Sequence, residues 1–324
     1  MKKTPKVIEK ILTAIARSKS VCVTGHMRPD GDCVGSQLAL ALAIRECGKE
    51  VVCWNQDPVP EKLRFLDRSS IFSVPEKGQS FDCVIAIDAA SYERLGSVCE
   101  FIQDRKLLIN IDHHTSNTRF GDLNWISSRQ PSSGELAFRL IKEARWPITP
   151  KIANCLFTAI STDTGSFQYP STLPSTYHTA AELVHRGADL STVCREVYQS
   201  HPLSRVRLQQ HLYNHFKLTQ SNRVAYCWLR VRDYARAGAH TNESEGLIDY
   251  IRDIEPVIVA CIFEELSPNQ IRVSLRSKDP SVNVSDIALQ FGGGGHKAAA
   301  GARIEGHPKD VQRRVLKAIR ASLK

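Results

Sequence analysis

The sequence lacks several features that would each have set its class. None of its 324 residues belongs to an apolar run of about 18, which excludes a membrane-spanning helix. Ten cysteines are present without a single C-x-x-C pair, which removes the commonest zinc-site and disulfide-exchange signatures. No internal repeat of fixed period occurs. A surplus of acid is also missing: 43 Lys and Arg exceed 34 Asp and Glu, for a net charge of +9. That balance favours an anionic partner such as a nucleotide or nucleic acid, although plain solvated surfaces carry similar surpluses. What is there, 42% hydrophobic and 24% charged residues, is the composition of a folded soluble chain and excludes disorder, collagen and coiled coil. The length allows two domains.

Cys22, Cys83, Cys155, Cys227 and Cys261 interrupt apolar runs. They read as reduced thiols acting as small core residues, which points to the cytoplasm. The first 20 residues begin with two lysines, but Glu9, Lys10 and Arg17 break their apolar pattern. This predicts an amphipathic helix and not a secretory leader.

In the first half, short apolar runs at 20–25, 51–54, 82–88 and 107–112 alternate with helical patterns at 33–47, 132–145 and 150–162. Strand–helix alternation predicts an α/β fold with a parallel sheet and helices on both faces. The helix at 33–47 is apolar almost all round and should be buried. Residues 173–216 read as mostly helical, with Gly187 as a helix stop. A second α/β block follows, with strands at 223–231, 257–266 and 270–277 and helices at 243–255 and 283–291. It closes on a basic amphipathic helix at 309–323 whose apolar stripe is Val311, Val315, Ala318 and Ile319.

Chemistry-bearing residues gather at strand ends. His26, Asp30 and Asp32 lie in GHMRPDGD, Asp88 ends DCVIAID, and Asp112, His113 and His114 end LLINIDHH. Asp163 stands in STDTGSF after the helix 150–162. In an open parallel sheet, ligands bind beyond the carboxyl ends of the strands. Carboxylates and imidazoles crowded there repel one another unless cations neutralise them. Asp30 and Asp32 sit two apart in a loop held by Pro29 and Gly31, so each could face a different metal with Asp88 between. Oxygen-rich ligands suit Mn²⁺ or Mg²⁺ better than zinc. Two such ions clamp a phosphoryl group and activate water. Singly, each residue has an ordinary alternative: Asp88 as a helix N-cap, Asp163 as a turn residue, the His pair as surface groups. A second signal is GGGGHKAAAGA at 292–302, whose bare backbone permits close approach and could cradle an anion. Arg276, late in a strand, could grip a phosphate.

Together, GHMRPDGDCVGS, VIAIDAA, IDHH and STDTGSF, in that order, resemble the four motifs of the DHH phosphoesterase superfamily. VSLRSK and GGGGHKAAAGA resemble the DHHA1 domain that often follows. The two-domain layout is most similar to the oligoribonuclease branch (nanoRNase, NrnA type), which also dephosphorylates pAp. The resemblance implies a DHH catalytic domain at 1–190, a helical linker at 191–218 and a smaller DHHA1 substrate-binding domain at 219–324. It implies two Mn²⁺ ions, with Mg²⁺ or Co²⁺ as alternatives. One would be held by His26, Asp30 and Asp88, the other by Asp32, Asp88, His113 and Asp163. Asp112 would orient His113, and His114 would stabilise charge on the scissile phosphate. Arg276, Gly294, Gly295 and His296 would grip the substrate's terminal phosphate or base across an interdomain cleft.

The expected activity is metal-dependent hydrolysis of short RNA to 5′-mononucleotides, and of pAp to AMP. Linear or cyclic dinucleotide phosphodiesterase and RecJ-like single-strand exonuclease are the rival activities. A non-catalytic nucleotide sensor is the rival of a different class. Oligomeric state, a homodimer included, is left open.

Overall fold

The apolar runs of the first half become one parallel sheet in the computed structural model, which describes residues 5–67 and 70–323. Its strands are β1 (Ser20–Thr24), β2 (Glu50–Trp54), β3 (Phe72–Ser73), β4 (Cys83–Ile87), β5 (Leu108–Asp112) and β6 (Leu123–Ile126). They pair in the order β3-β2-β1-β4-β5-β6, every neighbour parallel. β4 and β5 are buried at every position, as strands covered on both faces must be. Val23, Ile85 and Ile109 turn to one face, where α1 (Lys6–Arg17), α2 (Gly31–Glu46), α4 (Ser133–Glu143) and α5 (Pro150–Asp163) build the main core. Cys22, Val84 and Leu108 turn to the other, under Trp54, Phe81, Leu95 and the short α3 (Val98–Phe101).

α2 is buried continuously from Gly31 to Ile44, as its all-round apolar pattern predicts. It lies against α5 with almost no gap: a Cβ on Gly35 would stand 2.4 Å from the carbonyl oxygen of Cys155. α6 (Pro174–His185) and α7 (Leu190–Tyr198) complete this unit. The sheet order reverses between β1 and β4. That switch point opens a crevice beyond their carboxyl ends.

The contacts divide the chain between Ser200 and His201. The stretch expected as a linker is shared out: α7 buries Val193 and Val197 in the first unit, and α8 (Leu203–His215) buries Leu208 and Leu212 in the second. The second unit is a mixed sheet in the order β11-β12-β10-β9-β8-β7. Its strands are β7 (Lys217–Thr219), β8 (Val224–Leu229), β9 (Val259–Ser267), β10 (Gln270–Ser277), β11 (Gly294–His296) and β12 (Ala299–Glu305). α11 (Val284–Leu289) and α12 (Pro308–Ser322) cover one face; α8, α9 (Val231–Ala237) and α10 (Leu247–Arg252) cover the other. α12 uses Val311, Val315 and Ile319 for burial, as its spacing predicts.

Two boundaries differ from expectation. The strand expected to 231 stops at Leu229, because Asp233 accepts from the Arg230 backbone N–H and starts α9. The helix expected at 243–255 shrinks to α10, because Gly246 takes a left-handed φ of 76° at its start. No helix among the described residues is long and apolar enough to cross a membrane.

Candidate metal centre

β1 delivers His26 and Asp30 to the crevice. His26 Nδ1 lies 2.9 Å from the Met27 carbonyl oxygen. A carbonyl only accepts, so Nδ1 carries a proton and Nε2 is the ring atom turned to the crevice, where a cation can replace its proton. Asp30 is the N-cap of α2, its Oδ1 accepting from the backbone N–H groups of Asp32 and Cys33 at 3.1 Å each. Asp32, expected in the loop, stands instead in the first turn of α2. The start of α4 holds it: Ser133 N–H donates to Oδ2 at 2.7 Å and Gly134 N–H to Oδ1 at 2.8 Å. A helix N-terminus is a natural seat for a carboxylate.

β4 delivers Asp88. Its φ is 57°, a left-handed turn that costs energy in a residue with a side chain, and its N–H donates to Ile111 at 3.0 Å. It caps no helix; the next helical turn, Tyr92–Leu95, begins after Ser91. β5 delivers His113, whose Nδ1 faces the Gln130 carbonyl at 3.3 Å and so leaves Nε2 for the crevice. Nε2 lies 3.6 Å from Asp32 Oδ2, 3.5 Å from Asp88 Oδ1 and 3.4 Å from Asp163 Oδ2. On the other side, His26 Nε2 lies 3.5 Å from Asp88 Oδ2 and 3.8 Å from Asp30 Oδ1.

Asp88 therefore offers one oxygen to each of two ligand groups. Ligand atoms about 2.1 Å from a shared cation stand roughly 3–3.5 Å from one another; the His113 group is close to that spacing, and the His26 group is wider on its Asp30 side. Each imidazole is locked in the tautomer a metal needs, and four carboxylates supply the hard oxygens. The donor set fits two hard divalent ions.

Asp112 holds a different partner from the one expected. Its Oδ1 accepts from His114 Nδ1 at 2.8 Å, and its Oδ2 from Asn117 Nδ2 at 2.7 Å. The orienting group on His113 is the Gln130 carbonyl.

The electrostatics express the crowding of charge. Burial, then the charges of Asp88, Asp163 and Asp30, push the Asp32 carboxyl well above its usual range. Burial and the charges of Asp30 and Asp88 do the same to Asp163. Burial disfavours charge on His26, but hydrogen bonds to Asp30 and Asp88 outweigh it and raise the imidazole to about 10. Burial opposes charge on Asp88 too, yet the His26 hydrogen bond and the nearby imidazoles hold it well below the usual carboxylate range. His113 is pushed down by burial. Burial opposes charge on His114, but the Asp112 hydrogen bond wins and raises it to about 9. A field that draws a proton onto an imidazole among carboxylates also draws a divalent cation.

Ser133, Gly134, Gln130 and Asn117 are the functional neighbours that sequence reasoning missed. One signal was available: SSGE at 132–135 has the S-x-x-E form of a helix start, and Ser132 Oγ accepts from Glu135 N–H at 3.2 Å. A helix start beside a strand edge is where a carboxylate would be held.

In the second unit, the glycine run passes from a turn at Gly292 into a strand. Gly294, Gly295 and His296 form the edge strand β11, paired with Gly301, Ala300 and Ala299 of β12. The bare backbone serves this pairing, since a Cβ on Gly295 would stand 2.5 Å from the Ala299 carbonyl oxygen. Ala299 also pairs with Arg276 of β10. Paired positions across antiparallel strands share a face, so His296, Ala299 and Arg276 form one row. Gly294, Gly301 and Ser274 form the next row on the same face. Arg276 and His296 thus flank a floor of small residues. Asp249 Oδ1, 3.7 Å from Arg276 Nε, orients the guanidinium. This unit holds most of the net charge, with 19 Lys and Arg against 12 Asp and Glu in 201–324.

The DHH family N-terminal domain matches residues 20–160, and the DHHA1 domain matches residues 221–324. A bifunctional oligoribonuclease and PAP phosphatase NrnA of Thermus thermophilus is 32% identical over 320 residues, spanning 98% of this chain and 94% of its own. The chain belongs to the DHH family. Another DHH protein, the bifunctional oligoribonuclease and PAP phosphatase NrnA of Bacillus subtilis, is 28% identical over 91% of this chain and 92% of its own. Among solved structures, an exopolyphosphatase-related protein from Bacteroides fragilis has the same fold, with a TM-score of 0.90 at 24% identity, covering 99% of this chain and 98% of its own. All the crevice residues described above except Asp163 fall inside the matched DHH segment, and Arg276 and His296 fall inside the DHHA1 segment.

Proposed function

We propose that this DHH protein is a dimetal phosphodiesterase. It degrades short oligoribonucleotides to 5′-mononucleotides and removes the 3′-phosphate of pAp. The observation that carries this reading is the split of Asp88, with Oδ2 toward His26 and Oδ1 toward His113 at 3.5 Å each. The shared activity in the names of two near-full-length relatives supports it. His26, Asp30 and Asp88 would hold one ion, and Asp32, Asp88, His113 and Asp163 the other. Mn²⁺ suits these donors best, with Mg²⁺ or Co²⁺ next. Such ions, when bound, polarise phosphoryl oxygens and lower the pKa of water.

The protein's own residues do the rest. His114 is tied through Nδ1 to Asp112, and its raised pKa keeps the ring protonated at neutral pH. Its Nε2–H can then donate to a phosphate oxygen as negative charge develops. Arg276 and His296, above their floor of small residues, would bind the substrate's terminal phosphate, with Gly294 and Gly295 letting it approach the backbone. A grip on the terminus favours substrates of a few nucleotides. All ten cysteines are free thiols, which suits the reducing cytoplasm.

The test is turnover with Mn²⁺ of an RNA dinucleotide, a pentanucleotide, pAp, a cyclic dinucleotide and long single-stranded DNA, side by side. Release of mononucleotide from the short RNAs and of phosphate from pAp is expected. Preference for the cyclic dinucleotide or long DNA would select a rival phosphodiesterase, and tight binding of pAp without turnover would select the sensor reading.

A further inference from the structure

One of the seven buried thiols lies beside the crevice. Cys33 occupies the first turn of α2, next to Asp32, and is fully buried. Side chains of a helix lean toward its N-terminus, which carries the Cys33 sulfur back to the end of β1. There it faces the His26 carbonyl oxygen at 3.8 Å and Gln37 Oε1 at 4.0 Å, weak contacts for a weak donor. Gly25 makes the space: a Cβ there would stand 2.4 Å from the sulfur. Cys33, His26 and Asp88 each bring one ligand atom to within 4.8 Å of the others.

We propose that His26, Cys33 and Asp88 form an alternative, sulfur-containing ligand set at this half-site that captures a soft divalent ion such as Zn²⁺ or Cd²⁺, in competition with the hard ion that His26, Asp30 and Asp88 would hold. The argument is one of ligand type. One imidazole, one thiolate and one carboxylate make a set that zinc takes in preference to manganese. Trading Asp30 for Cys33 changes the selectivity of that half-site, and Asp88 carries the effect to the His113 half-site. On capture the sulfur bonds to the ion and the thiol proton leaves to solvent. A soft ion seated there would tie up Asp88 and exclude the pair of hard ions. Trace Zn²⁺ would thus act as an inhibitor whose target is this thiol. The inference uses the same crevice as the proposed function but not the reading of the substrate.

The experiment is titration of the metal-stripped full chain with Cd²⁺, followed by the ultraviolet thiolate-to-Cd²⁺ band, on wild type, Cys33→Ser and Cys33→Ala. The nine other thiols remain in both variants as an internal background. The first equivalent of Cd²⁺ should produce the band in wild type and not in the variants, with Cd²⁺ affinity about tenfold or more weaker, since even an outer-shell partner of a ligand is worth that much. Mn²⁺ affinity, measured on the same samples, should stay within about twofold, which also shows that the variants fold. Should neither variant fold, ¹¹³Cd NMR of the wild type decides: a sulfur-ligated shift for the first equivalent supports the site, and a shift typical of oxygen and nitrogen ligands alone overturns it. An unchanged band and affinity in folded variants would also overturn it. Loss of RNA hydrolysis with the sulfur signature intact would instead count against the proposed substrate.

Discussion

Ser133 Oγ donates a 2.9 Å hydrogen bond to Asp88 Oδ1, tying the start of α4 to the residue proposed to bridge two ions. The Ser133 backbone N–H meanwhile holds Asp32. One serine thus sets two proposed ligands of the same ion. Ser133→Ala removes the first contact and keeps the second. Mn²⁺ affinity should fall about 10–100-fold while the melting temperature changes little. Isothermal titration beside thermal unfolding checks this, and unchanged Mn²⁺ affinity would refute the positioning role.

Metal binding should tighten as pH rises. Asp32 and Asp163 are held above the usual carboxylate range and His26 at about 10. The metal-free chain therefore carries protons that a bound cation displaces. The metal-free state binds more protons, so linkage favours the loaded state at higher pH. The Mn²⁺ dissociation constant should fall by about tenfold per pH unit for each proton displaced between pH 6 and 8. A flat profile would contradict the assignment of these groups as ligands.

Gly35→Ala should destabilise the first unit by about 1–3 kcal/mol. The new Cβ meets backbone, the Cys155 carbonyl oxygen at 2.4 Å, and backbone does not rotate aside. α2 carries Asp32 and α5 carries Asp163, so prying them apart should also weaken Mn²⁺ binding. Chemical denaturation with a Mn²⁺ titration reads both, and an unaffected unfolding midpoint would show that the helices are looser than the structure has them.

Arg276→Ala should raise KM for a dinucleotide by about tenfold or more and leave Mn²⁺ affinity alone, because it removes a grip on phosphate and not a metal ligand. Arg276→Lys should recover only part, since an ammonium lacks the guanidinium fork. A drop in kcat at constant KM would place Arg276 elsewhere in the reaction.

The parallel sheet and the crevice residues were legible because the chemistry is written at strand ends. Strand runs with an Asp or His at their carboxyl end need only one rule, that such ends share an edge. The partner of Asp112 was not legible from adjacency in IDHH. The chain leaves β5 extended, and extended side chains alternate. Asp112 therefore shares a face with His114, two residues on, and not with its immediate neighbour His113. The strand within the glycine run was not legible for a different reason. Glycine disfavours strands, so GGGGH reads as a loop. It forms β11 because β12 comes close enough to exclude any side chain at Gly295. The short α10 follows from Gly246, whose left-handed φ could not be read from its identity alone.

The most direct measurement is the number of Mn²⁺ ions bound per chain at saturation, in wild type and in His26→Ala, His113→Ala and Asp88→Ala. If Asp88 joins two sites, wild type should hold two tightly bound ions, each histidine variant one, and Asp88→Ala neither. A wild type that saturates at one ion, or an Asp88→Ala variant that still holds two, would contradict the account.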